Sequence, residues 1–160
     1  MSPDPFDALI VRAKQRPLRI VLPEAEDPRT LAAAARLQRD QIARPILVGS
    51  KDAIAAAARK ASIDISGIRI EDPLASANVA LVAHAIADAI RGTKTQPDEA
   101  AAWMSDPVFF ANGMVRAGFA EGCVSGAAHT TAETLRAALK VLRPAPGVAI
   151  VSSFFLMGLR

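Results

Sequence analysis

The chain has 160 residues, half of them apolar, one cysteine, and a formal net charge of +3 from 19 basic against 16 acidic residues. That length suits one domain with its own core, the lone cysteine excludes an internal disulfide, and no apolar run approaches the roughly 20 residues of a membrane span. Fourteen of the basic residues are scattered arginines and aromatics make up only 4%, so the chain lacks the basic stripe with stacking platforms that nucleic acid requires.

The first residues, Met1-Ser2-Pro3-Asp4-Pro5, lack the basic and apolar regions of a secretory signal. Together with the single cysteine, this gives a soluble cytoplasmic protein as the expectation. Residues 5–15 read as a helix and Leu18–Leu22 as a strand ending at Pro23. Asp27-Pro28 supplies a capping acid and a proline at the first helical position, and the helix runs on through Leu37. Pro45–Gly49 is a second strand, followed by an alanine-rich helix from about Asp52 to Lys60, and Ile68–Ile70 is a short third strand. A long helix over Ala77–Arg91 ends at Gly92, and further helices start at Thr95–Glu99 and at Ser105-Asp106-Pro107. After a strand at 122–125, a helix runs from Thr131 to about Arg143. Its Leu135, Leu139 and Leu142 are expected to share one buried face. Gly147–Leu156 reads as a last strand. Strands alternating with helices predict an α/β fold: an open, mostly parallel sheet with helices on both faces.

The segment from Gly122 to Arg136 carries the most chemical information. A short apolar run, Cys123-Val124, stops at a Ser125-Gly126-Ala127-Ala128 loop, which opens a helix rich in hydroxyls at its start, with Arg136 on its second turn. Strand, small-residue loop, helix N-terminus and cation form a common anion cradle, with backbone N–H groups directed at the ligand. Locally, Thr130-x-x-Glu133 also reads as a capping box. The two readings are compatible, because a capped helix keeps its dipole. Arg136 is expected to flank the core, and Arg91 lies where a cation favours a helix C-terminus. Cys123 reads as a small buried hydrophobe. The Glu24, Glu26 and Asp27 cluster reads as one cap plus solvated acids rather than as a metal site. His129 has no evident acidic partner in triad order, so a role as general base is disfavoured.

Several stretches occur together in order: Leu22-Pro23-Glu24-Ala25-Glu26-Asp27-Pro28-Arg29, Pro45–Gly49, Met104–Phe110, the 122–136 segment, and Pro146-Gly147 to Phe155. This series resembles the phosphate acetyl/butyryltransferase family over about residues 18–160. The resemblance implies the isocitrate dehydrogenase-like phosphotransacetylase fold. It also implies acyl transfer between acetyl phosphate and coenzyme A, with coenzyme A as substrate and no organic cofactor. Homodimerisation is expected on the same ground. Ser125, His129, Thr130 and Thr131 become candidate contacts to the acyl phosphate. Arg136 matches an arginine linked to phosphate-bearing substrates, and Arg91 matches, with a one-residue gap, one linked to coenzyme A.

The resemblance further implies that residues 1–160 are the N-terminal α/β domain of such an enzyme. Its expected catalytic base lies in a C-terminal half, so the chain alone is expected to have little or no turnover. The run Phe154–Met157 fits that reading, since it suits a sheet interior better than a chain end. The alternatives are a non-catalytic module that binds acetyl-CoA or acyl phosphate, and an inert structural fragment. A nucleotide-binding domain is disfavoured, because Ser125–His129 matches neither the P-loop nor the GxGxxG fingerprint.

Overall fold

The computed structural model describes residues 5–148 and 150–152. Four parallel strands form the sheet: β1 (Arg19–Leu22), β2 (Arg44–Val48), β3 (Arg69–Glu71) and β4 (Gly122–Cys123), in the order β3-β2-β1-β4. The register pairs Val21 with Ile46 on one side and with Cys123 on the other, and Leu47 with Ile70. The expected parallel α/β architecture is therefore present.

The helices are α1 (Pro5–Gln15), α2 (Pro28–Arg39), α3 (Lys51–Ala61), α4 (Val79–Ile90), α5 (Pro97–Ala102), α6 (Pro107–Arg116) and α7 (Thr131–Val141), with a 3₁₀ turn at Trp103–Ser105 between α5 and α6. Their starts follow local chemistry. The Asp27 carboxylate accepts the Arg29 N–H at 2.8 Å, and Asp106 accepts those of Val108 and Phe109 at 2.8 and 3.2 Å. Pro28 and Pro107 each follow a capping acid, where a missing N–H costs nothing.

Side chains alternate across the strands and divide the core in two. Val21, Ile46 and Val48 pack against α4, α6 and α7 through Val82, Ile86, Phe110, Met114, Ala137 and Val141. Leu22 and Leu47 face the other way onto Leu31 and Ala34 of α2 and Ile54 and Ala58 of α3. Helices α4 and α6 approach closely at Gly113, where a Cβ would lie 2.7 Å from Val82 Cγ1. Trp103 stacks on Phe109 with ring centroids 4.5 Å apart. Lys140 of α7 sits over the indole at 5.1 Å and pairs with Glu99.

Two expectations need correction. Helix α7 buries Ala137 and Val141, whereas Leu135 and Leu139 are 45% and 44% exposed. The smaller side chains face inward because α7 lies close on α6. There Arg116 donates to the carbonyls of Val141 and Leu142 at 3.1 and 3.4 Å. The second correction concerns the strand expected at 147–156. Residues 150–152 form no strand, Ile150 is 80% exposed, and residues 153–156 lie outside the described residues. No helix among the described residues is long and apolar enough to cross a membrane.

Candidate active site

The chain builds β1, β2 and β3 in one direction and then crosses to the far side of β1 to add β4. In open α/β sheets such a reversal leaves a crevice beyond the carboxyl ends of the two strands, the usual place for a ligand. Here β1 and β4 flank the crevice, and two segments meet over it: Pro23-Glu24 after β1 and the Ser125–Thr130 loop after β4.

The loop's amides do converge on an anion, but the anion belongs to the protein. Glu24 Oε2 accepts the N–H groups of Gly126 and Ala127 at 2.8 and 2.7 Å. Oε1 accepts those of Ala128 and His129 at 2.8 and 2.7 Å, and lies 2.9 Å from His129 Nδ1. The Glu24 side chain is only 3% exposed. The expected open cradle is thus filled, and Glu24 is not a solvated acid at a strand end. Gly126, at φ +110°, supplies the turn that brings successive amides to one side, a conformation L-residues rarely adopt. Burial pushes the Glu24 carboxyl pKa up. The hydrogen bonds from Ala128, Ala127 and His129 outweigh that and bring it down to about 2.

His129 therefore has the acidic partner that its sequence neighbourhood does not reveal. A carboxylate oxygen only accepts, so Nδ1 carries the proton and Nε2 is left as the ring's open position. Arg29 braces the loop from its carbonyl side: its guanidinium donates to Ala127 O while gripping Asp27 with bonds of 3.0 and 2.7 Å. A cavity of about 210 Å³ adjoins this assembly, lined by Pro23, Val48, Pro107 and His129 among others.

Ser125 is half-buried, and its hydroxyl interacts with the Cys123 thiol. Burial pushes that thiol up to about 11, Glu24 adds to the effect, and the Ser125 hydrogen bond opposes it. Cys123 stays protonated at neutral pH and is no nucleophile. Thr130 and Glu133 form the expected capping box: Thr130 N–H and hydroxyl donate to Glu133 Oε2 at 2.7 and 2.8 Å, and Thr130 Oγ1 accepts the Glu133 N–H at 3.3 Å. The Thr130 hydroxyl proton is thereby held within the cap. Thr131 and Arg136 are exposed, and neither side chain has a hydrogen-bond or ion-pair partner among the described residues. In the first turn of α7 the Glu133 N–H is taken by Thr130 Oγ1, which leaves those of Thr131 and Ala132 without an acceptor within the helix. Helical side chains lean toward the N-terminus, and the Arg136 charge acts there on the Glu133 carboxylate.

Arg91 lies elsewhere. It follows α4 and pairs with Asp88 at 2.6 Å. The end of α4 neighbours the far end of α7, where Arg143 donates to Ala89 O at 3.3 Å. The 11-residue α7 separates that point from Thr131 by about 16 Å at about 1.5 Å per residue. Beside Arg91 is a second cavity, of about 590 Å³, whose lining includes Ile86, Thr93 and Met104.

Comparison with known proteins agrees with the sequence resemblance. The sequence model of the family described as "Phosphate acetyl/butaryl transferase" matches residues 6–160. Phosphate acetyltransferase of Thermoanaerobacterium thermosaccharolyticum is 39% identical over 152 residues, covering 95% of this chain and 46% of that protein. The Acetivibrio thermocellus protein of the same name is 40% identical over 153 residues, covering 95% and 45%. Among solved structures, the EutD phosphotransacetylase from Staphylococcus aureus superposes with a TM-score of 0.80 at 34% identity, over 90% of this chain and 44% of that one. A phosphotransacetylase from Streptococcus pyogenes gives a TM-score of 0.82 at 30% identity, over 91% and 44%. The chain spans a little under half the length of the relatives it matches. Matched by the family's sequence model along nearly all its length, and by these relatives in sequence and fold, the chain belongs to the phosphate acetyl/butaryl transferase family.

Proposed function

We propose that this chain contributes the acyl-phosphate side of a phosphate acetyltransferase site, in which acetyl-CoA and phosphate interconvert with coenzyme A and acetyl phosphate. The observation that carries the reading is the start of α7. The N–H groups of Thr131 and Ala132, the Thr131 hydroxyl, which has no partner among the described residues, and the exposed Arg136 guanidinium, whose charge acts on the Glu133 carboxylate, lie beside a loop already fixed by Glu24. These groups suit a phosphate outside the filled cradle: the helix dipole and Arg136 supply positive potential, and a guanidinium can grip two oxygens at once. Ser125, whose hydroxyl interacts with Cys123, remains a candidate phosphate contact, and Thr130 serves through its cap.

In the forward direction the thiol sulfur of coenzyme A attacks the acyl carbon. The C–S bond forms, the bond between acyl carbon and phosphate oxygen breaks, and the thiol proton passes to a base. Arg136 and the α7 amides would stabilise the charge gathering on the departing phosphate. Arg91, after α4 near the opposite end of α7 and beside its own cavity, suits the far end of an extended substrate such as coenzyme A. Coenzyme A is consumed as substrate, and the chemistry requires no organic cofactor. Cytoplasmic residence and a homodimer belong to the same reading. The exposed apolar side chains of Val124, Leu135 and Leu139 favour association.

The test is thiol release from acetyl-CoA and phosphate by the purified chain, with Arg136→Ala alongside. Turnover that Arg136→Ala reduces at least tenfold supports the reading. Turnover that the variant leaves unchanged removes Arg136 from the site. Stabilisation by acetyl phosphate without turnover, lost in Arg136→Ala, also supports the reading, since the chain spans under half the length of its relatives. Stabilisation that Arg136→Ala leaves unchanged counts against it.

A further inference from the structure

Within the transferase reading, on which this inference rests, we propose that Glu24 is the positioning residue of the site. It acts as a built-in anion that fixes the Gly126–His129 loop and holds His129 with Nδ1–H inward, so that Nε2 is presented as an acceptor to a proton-bearing substrate group, the thiol or inorganic phosphate.

Three independent observations support this. The first is place: Glu24 lies at the crossover between β1 and β4, where an α/β sheet ordinarily receives an external anion. The second is saturation. Both carboxylate oxygens are occupied by four consecutive backbone N–H groups and one imidazole, all within 2.9 Å. A substrate phosphate cannot use those amides without expelling a buried carboxylate, so it must bind further out, toward Thr131 and Arg136. The third is the ring. With Nδ1 engaged, His129 Nε2 has no partner among the described residues, and the imidazole borders the 210 Å³ cavity. Fixing one ring nitrogen through a carboxylate is a general means of defining the tautomer and orientation of the other.

Chemically, a loop whose amides are already occupied needs no reorganisation when substrate arrives. With Nδ1–H directed at Glu24, Nε2 can accept a hydrogen bond from the incoming thiol or from the proton of inorganic phosphate. Glu24 touches no substrate. Its contribution passes through the loop and His129.

The experiment uses the full chain, with its histidines labelled in the ring nitrogens, at pH 8. Wild type should show His129 as the Nδ1–H tautomer, slow hydrogen exchange at residues 126–129, and saturable binding of inorganic phosphate. Glu24→Gln should lose the Nδ1–H signature, raise exchange at those four amides at least tenfold and weaken phosphate at least tenfold. Asp7→Asn, exposed on α1 and outside the cavity beside His129, should change none of the three. An Nε2–H tautomer in wild type, or phosphate affinity in Glu24→Gln within twofold of wild type, overturns the proposal. Where Glu24→Gln fails to fold, Glu24→Asp makes the same comparison, since it keeps the charge but is one methylene too short to span the loop. Increased exchange at 126–129 with weakened phosphate supports the proposal, and unchanged phosphate affinity overturns it. A wild-type chain that binds neither phosphate nor acetyl phosphate overturns the transferase reading instead, while the tautomer and exchange measurements still decide the role of Glu24.

Discussion

Acid should destabilise this domain through Glu24 in a way that a single substitution isolates. The carboxyl sits at about 2 in the folded chain against an ordinary value of 4.5. The folded form therefore prefers the ionised group, and the resulting stability is fully present above about pH 4.5 and lost as pH falls toward 2. At about 1.4 kcal/mol per pH unit, the full contribution is about 3 kcal/mol, a sizeable part of the 5–15 kcal/mol that holds an ordinary domain together. The structural origin is five hydrogen bonds to a charged acceptor, opposed by the cost of burying it. Urea unfolding of wild type and Glu24→Gln at pH 6.5, 4.5, 3.5 and 2.5 measures the effect. The gap should be about 3 kcal/mol at the two higher values and should narrow toward zero at pH 2.5, where a protonated carboxyl resembles the amide. Asp27 and Glu121 are also held at about 2, by Arg29 and Arg19 respectively, but both proteins share those groups and they cancel in the difference. A gap that stays constant across the series would refute the account and reduce Glu24 to a packing residue.

Two further outcomes test the packing. Gly113→Ala should cost about 1–3 kcal/mol of unfolding free energy in a denaturant titration, because the new Cβ meets buried Val82 and Ile86 at 2.7–3.1 Å and α4 must move off α6. On α7, Leu139→Lys should lie within about 0.5 kcal/mol of wild type, whereas Val141→Ala should cost about 2 kcal/mol. The reverse order in the same titration would restore the leucine face as the buried one.

What the sequence makes legible depends on the range of the interactions involved. Caps at Asp27, Asp106 and Thr130 are visible because their partners lie two or three residues away. The strands β1 and β2 announce themselves as apolar runs bounded by proline or glycine. On α7, leucine outranks alanine as a core residue by hydrophobicity alone, but the closeness of α6 selects Ala137 for the buried face. The role of Glu24 is hidden for a different reason. Its ligands are 102–105 residues distant, and an acid following a strand looks solvated unless the strand order brings another loop over it. The Leu22–Arg29 motif did carry a signal in Glu24 and Arg29, but its meaning depended on β4 pairing with β1 rather than with β3.

The single tryptophan gives the molecule a reporter of its own. Trp103 is 7% exposed, stacked on Phe109 at the start of α6 and covered from the α7 side by Lys140. Its fluorescence therefore reads whether α7 is seated. Any ligand that pulls on the first turn of that helix acts on one rigid rod whose last turn touches the indole. Emission excited selectively at Trp103 thus follows events at Thr131 and Arg136 without an added label.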